Sequence, residues 1–229
     1  MSALVRHLKG HIFVFDAPQT PPYEPAAGLR LLLIFLLMEF VLGPRLSLLG
    51  LYPLPQLPGW IRILLMIVLA LVLVNRFARL SLRQIGLRPW RDWSVTERSY
   101  FIQVFIIANV VFLLIYGSRL KAMLGGSWGL GLVLFLTGLL WGFQQELMYR
   151  GILQTELVRR WGTIPGILVG NLIFTFGPLH FYHFKGHAPL PIFAAIFAIG
   201  LLFAVIFRRS GNLLIVGILH GLGNFYIGG

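Results

Sequence analysis

Apolar runs too long for a soluble domain set the first constraint on this chain. Leu64–Val74 (LLMIVLALVLV) contains no polar residue and no period-two alternation. A spanning helix needs roughly 20 mainly apolar residues. Seven segments meet or approach that length: about 29–50, 59–75, 99–118, 128–150, 163–181, 189–207 and 211–227. In lipid every backbone N–H and C=O must be bonded within the protein, which leaves helices or a closed barrel. The missing alternation removes the barrel. The expected fold is therefore all-α, a polytopic membrane bundle of about seven transmembrane helices, the last being the shortest. Composition agrees: 58% of the 229 residues are hydrophobic and 11% charged, too little polar surface to cover a soluble domain of this size.

A net charge of +12 would suit nucleic acid in a soluble protein. In a membrane protein Lys and Arg gather instead in cytoplasmic loops, so the expected partner is the lipid bilayer and not nucleic acid. With seven spans, one side receives Arg6, Lys9, Arg30, the six arginines of 76–98, Arg159, Arg160, Arg208 and Arg209. The other receives Arg45, Arg62, Arg119, Lys121 and Lys185, while Arg150 falls inside a span. Thirteen against five places the N-terminus in the cytoplasm, in a cell (plasma or inner) membrane. Residues 1–28 read as an amphipathic, interfacial segment, because Arg6, His7, Lys9 and His11 interrupt the apolar residues. Residues 29–229 read as one transmembrane domain. There is no cysteine, hence no disulfide framework.

The one sizeable loop, about 76–98, is Arg-rich, and its Trp90 and Trp93 suit the membrane interface. The fourth segment lacks a strong breaker from Gly142 to Arg160. It predicts a helix of roughly 30 residues, about 45 Å long at 1.5 Å per residue. Gly162-Thr163-Ile164-Pro165 makes the following turn, with Thr163 as cap and Pro165 in the next first turn.

Ionisable groups inside spans are costly and commonly mark a site. Three sets stand out: Gln144 to Gly151, Phe176 to His180, and His220 to Asn224. Glu146 lies seventeen residues before Thr163 and His180 seventeen after it, so a hairpin turning there brings them to similar depth. His220 and Asn224, four apart, share a helix face, and Gly221 and Gly223 leave room for a neighbouring helix. Glu146 and Arg150 are also four apart and can pair within one helix. Each set alone has a bland explanation: a self-neutralising ion pair, a headgroup-level histidine, a polar contact between helices. All three in one small chain predict a shared polar site. Glu39, inside the first span, is protonated, paired with a residue such as Arg45, or lines the same cavity. Gln103, Asn109 and Asn171 read as partners between helices. His183 and His187 extend His180, but Gly186, Pro189 and Pro191 favour a loop over a metal cluster.

A carboxylate, two imidazoles and an amide in an apolar bundle suit hydrolysis. The carboxylate takes a proton from water, a histidine assists, and His and Asn donors stabilise an oxyanion. No serine nucleophile stands out, and neither Gly-x-Ser-x-Gly nor His-Glu-x-x-His is present. One glutamate and two histidines can also hold a divalent metal, although their spacing does not require it.

In their order these sets resemble the CPBP family of intramembrane endopeptidases (CAAX proteases and bacteriocin-processing proteins, also called ABI). The family pattern is Glu-Glu-x-x-x-Arg, then Phe-x-x-x-His, then His-x-x-x-Asn. Gln145 to Arg150, Phe176 to His180 and His220 to Asn224 match it, and Leu82 to Arg88 (LRQIGLR) resembles a family loop. The resemblance covers roughly 80–228. It implies cleavage of a peptide bond near the membrane-attached end of a substrate, such as a prenylated tail, a leader peptide or a sorting helix. By the same resemblance Gln145 stands at the water-activating position, His180 assists, His220 and Asn224 hold the oxyanion, and Glu146 and Arg150 order the site. The departure is Gln145 itself, an amide where the family has glutamate. Three explanations stay open: an engineered inactive variant, a natural subfamily using Glu146 or Glu39, or a non-catalytic relative. The rival function is a membrane scaffold or bacteriocin-immunity-type protein. A small transporter fits less well, since no repeat or broken-helix pair is evident.

Overall fold

A computed structural model describes residues 22–42, 58–125, 128–183 and 190–228. Residues 1–21 of the predicted N-terminal interfacial segment lie outside the described residues, as do Arg45, Lys185 and His187. Among the described residues the fold is entirely helical, with no strand. The helices are α1 (Pro25–Leu36), α2 (Gly59–Arg76), α3 (Val95–Leu124), α4 (Trp128–Glu146), α5 (Thr155–Trp161), α6 (Thr163–Phe176), α7 (Pro178–His183), α8 (Leu190–Ser210) and α9 (Leu213–Gly228). A π-helical turn, Leu37–Val41, extends α1, and a longer π segment, Leu147–Gln154, joins α4 to α5 in one rod.

Five stretches are long and apolar enough to cross a membrane: Gly59–Arg76, Glu97–Ser118, Gly129–Trp161, Thr163–His180 and Leu190–Ser210. The first and last helices are shorter, and α1 begins at Pro25, a few residues ahead of the expected first span. Within α2, Ile63, Ile67, Ala70 and Val74 form the buried stripe, while Leu64, Leu65, Val68 and Val72 face outward. Both faces are apolar, so their roles differ only through packing, as expected where the outer solvent is lipid.

Where the structure departs from the sequence reading, local chemistry supplies the reason. The long fourth helix runs from Trp128 to Trp161 but is interrupted by the π segment, all eight of whose residues are buried. The fifth span breaks at Gly177, whose extended backbone (φ −78°, ψ −172°) precedes Pro178, a residue that starts helices rather than continuing them. The cap of α6 is Gly162 (φ 84°), not Thr163. The Thr163 hydroxyl instead accepts from Arg208 Nε at 3.3 Å. Trp90 is exposed as expected, but Trp93 is buried and donates Nε1–H to the Arg88 carbonyl at 3.1 Å. Gln103 bonds Ser99 in its own helix and not a neighbour. Asn109 and Asn171 do link helices, through the Tyr226 hydroxyl and the Phe197 carbonyl.

The loop between α2 and α3 packs against the α8–α9 turn. Leu213 N–H donates to the Gly86 carbonyl at 2.8 Å, and Arg88 reaches the Ser210 carbonyl and Glu97. At the foot of α5, Glu156 accepts from Tyr23, Arg159 and Arg160. Burial, and then the bond to Glu156, raise the Tyr23 phenol above its usual range, so it remains a donor.

Candidate active site

The rod formed by α4, the π segment and α5 is the spine of the site, and α9 lies directly against it. A Cβ on Gly142 would collide with the backbone of Gly221, and one on Gly221 would stand 2.6 Å from Leu139 Cα. Only glycine allows the two helices to approach this closely. Gly221 thus does what its position predicts, whereas Gly223 meets only Phe112, at ordinary contact distance.

The close approach brings His220 to Glu146. His220 Nδ1 lies 2.7 Å from Glu146 Oε1, while Glu146 Oε2 accepts from Arg150 Nε at 3.2 Å. Glu146 and Arg150 are fully buried. Arg150 also reaches the Gly200 carbonyl at 2.9 Å and Asn171 Oδ1 at 3.4 Å, and its guanidinium sits 4.8 Å from the Phe174 ring centroid. A buried charge pair needs such further partners to offset its desolvation. The within-helix pair expected from the sequence is present. The histidine at its other end was not foreseen.

Gln145 faces away from this chain of bonds. With His180, His220 and Asn224 it lines a cavity of about 500 Å³, walled mainly by apolar side chains including Trp141, Phe174, Ile199 and Phe203. That volume falls within the range of small-molecule and peptide sites. Two amide atoms, Gln145 Oε1 and Asn224 Nδ2, are buried without a hydrogen-bond partner among the described residues. Orphaned polar atoms are costly in such surroundings, so this wall is poised for a polar guest.

His180, on α7 just past the Gly177 break, has Nδ1 2.7 Å from the Phe174 carbonyl oxygen. A carbonyl only accepts, so Nδ1 carries a proton. Its ring meets Phe174 edge-on at 4.7 Å between centroids. His220 is stacked on Phe203 at 5.1 Å. Four of the six expected site residues thus share one cavity, with Glu146 and Arg150 behind it. Glu39 is not on the cavity wall; it accepts from the Tyr149 hydroxyl at 2.9 Å. Among the described residues no three His, Asp or Glu side chains are arranged to hold a metal ion. The triad proposed for that purpose, Glu146, His180 and His220, has both Glu146 oxygens already engaged. Phe174 and Phe203, which set the histidine planes, were not singled out, because in sequence they look like any lipid-facing phenylalanine.

Residues 127–226 match the family model described as Rce1-like, Type II CAAX prenyl endopeptidase Rce1-like. The matched stretch holds all three motifs, which supports the CAAX-protease resemblance, while the Leu82–Arg88 loop lies outside it. No curated protein and no solved structure matches the chain.

Proposed function

We propose, taking the match to type II CAAX prenyl endopeptidases as the premise, that this integral membrane protein hydrolyses a peptide bond close to the lipid-anchored end of a substrate. The observation that carries the reading is the convergence of Gln145, His180, His220 and Asn224 on one cavity among apolar helices. Water held there is removed from bulk solvent, so proton transfer and oxyanion stabilisation act with little screening. The substrate's lipid chain stays in the bilayer while its peptide end enters the cavity. The positively charged loop end of the bundle faces the cytoplasm, where newly lipidated tails are made accessible.

Direct attack of water suits this wall: among the described residues lining it there is no serine, and the hydroxyl of Thr137 is bonded back to the Val133 carbonyl. The test is a farnesylated, internally quenched peptide with a Cys-aliphatic-aliphatic-X tail, incubated with the purified protein in detergent. Cleavage after the prenylated cysteine is the expected result. Replacing Asn224 with leucine, which fills the wall without a donor, should lower the rate at least about a hundredfold. A scaffold or immunity-type protein would bind such a peptide, or a partner, and leave it whole.

A further inference from the structure

Resting on the endopeptidase reading, we infer that His220, held by Glu146, is the general base of this chain, so that hydrolysis does not need a carboxylate at position 145. An amide cannot take a proton from water near neutral pH, which excludes Gln145. Glu146 is excluded by geometry: it is fully buried, is absent from the cavity wall, and has each oxygen bonded, one to Arg150 and one to His220. His220 is the residue that connects that carboxylate to the cavity.

A carboxylate accepts and does not donate, so the 2.7 Å contact puts the proton on His220 Nδ1 and leaves the lone pair on Nε2. Stacking on Phe203 and the edge contact with Phe174, 6.2 Å between centroids, hold the ring plane. This is the logic of a carboxylate–histidine dyad: the acid fixes tautomer and orientation and stabilises the imidazolium that forms. Arg150 Nε donates to the other oxygen of Glu146 and so fixes the carboxylate facing His220. Glu146 therefore acts mainly as a positioning residue. At His180 the Nδ1 contact is to a backbone carbonyl and not to a carboxylate. That difference at Nδ1, a carboxylate behind His220 and a carbonyl behind His180, favours His220 as the base.

The reaction balances on these groups. His220 Nε2 takes one proton from water, and the hydroxide oxygen forms a bond to the scissile carbonyl carbon. The C=O π pair moves onto oxygen, where the N–H groups of Asn224 and Gln145 donate to it. A glutamine amide can turn either end to the cavity, so Gln145 is a donor here and not an absent base. Collapse of the intermediate breaks the C–N bond, and the imidazolium proton passes from Nε2 to the leaving nitrogen. The products are one carboxylic acid and one amine.

The experiment compares four chains on the farnesylated peptide: the sequence as written, Gln145→Glu, His220→Gln and Glu146→Gln. The sequence as written should cut. His220→Gln keeps an N–H donor but no base, so its rate should fall at least about a hundredfold. A fall of less than about tenfold would assign His220 to the oxyanion and overturn the inference. Cleavage by Gln145→Glu alone also overturns it, while leaving the endopeptidase reading intact. Cleavage by neither of those two chains sinks both. Because a variant can fail to fold, ¹⁵N-histidine NMR of the unaltered protein supplies a second measurement. His220 should show a protonated Nδ1 and a lone-pair Nε2, and Glu146→Gln should move the proton toward Nε2, which a merely structural glutamate would not do. The opposite tautomer in the unaltered chain would overturn the dyad.

Discussion

Two glutamates ten residues apart on the same rod are both fully buried and both paired with arginine, yet their surroundings differ in kind. Glu156 accepts from Tyr23, Arg159 and Arg160, and these bonds tie the chain ahead of α1 to the foot of α5. Arg159 and Arg160 are about one-third exposed. Glu146 accepts from a fully buried arginine on one side and from a histidine on the other, and that histidine faces a cavity. Burial alone does not separate a structural carboxylate from one coupled to chemistry. What separates them is whether the chain of hydrogen bonds ends at other protein groups or at an open wall.

The sharpest way to break this comparison is to neutralise each carboxylate. Glu146→Gln leaves Arg150 charged and buried, so thermal or denaturant unfolding in detergent should register a loss of about 3–5 kcal/mol. The residual folded protein should cut the peptide at least about a hundredfold more slowly. Pairing Glu146→Leu with Arg150→Met removes both charges and should restore most of the stability but none of the activity. Recovery of cleavage in that double variant would break the claim that Glu146 serves the cavity. Glu156→Gln, whose arginines can turn toward headgroups and water, should cost about 1–3 kcal/mol. Its rate per folded molecule should stay within about twofold of the parent. A large loss of rate there would erase the distinction between the two sites.

Much of the site was legible because glutamate, arginine, histidine and asparagine are conspicuous among apolar residues. The matched spacing about the Thr163 turn led to the expectation of a common depth for Glu146 and His180, and the four-residue spacing to a shared face for His220 and Asn224, which do line one cavity. The π segment was not legible. It is a way of burying Leu147–Gln154 on all sides, a demand that arises from neighbouring helices and not from local propensity. The break at Gly177-Pro178 had a signal in the dipeptide itself, yet the apolar residues around it read as one span. The Glu146–His220 bond depends on the approach of Gly142 to Gly221. Sequence can suggest such a contact between α4 and α9 but cannot assign its register.

The glycine contact offers a smaller and separate perturbation. Gly221→Ala should push α9 away from α4 and cost about 1–3 kcal/mol, the usual scale of overpacking. It should slow cleavage as well, because His220 moves with the backbone that carries Glu146's partner. Gly223→Ala, whose Cβ would meet Phe112 at ordinary contact distance, should be nearly neutral in stability. Orientation involves no stability change at all. Reporter fusions after Arg91 and Arg160 should read cytoplasmic and a fusion after Lys185 external. A cytoplasmic signal after Lys185 contradicts the seven-pass arrangement.

The most direct measurement is the rate of farnesylated-peptide cleavage by the sequence as written, beside Gln145→Glu, at equal folded concentration. Cleavage by the sequence as written is expected, with Gln145→Glu no faster, because a carboxylate at 145 removes an N–H donor to the oxyanion and adds no base that His220 does not already supply. An intact peptide in both samples, with both proteins folded by thermal melt, would contradict a hydrolytic role for this cavity.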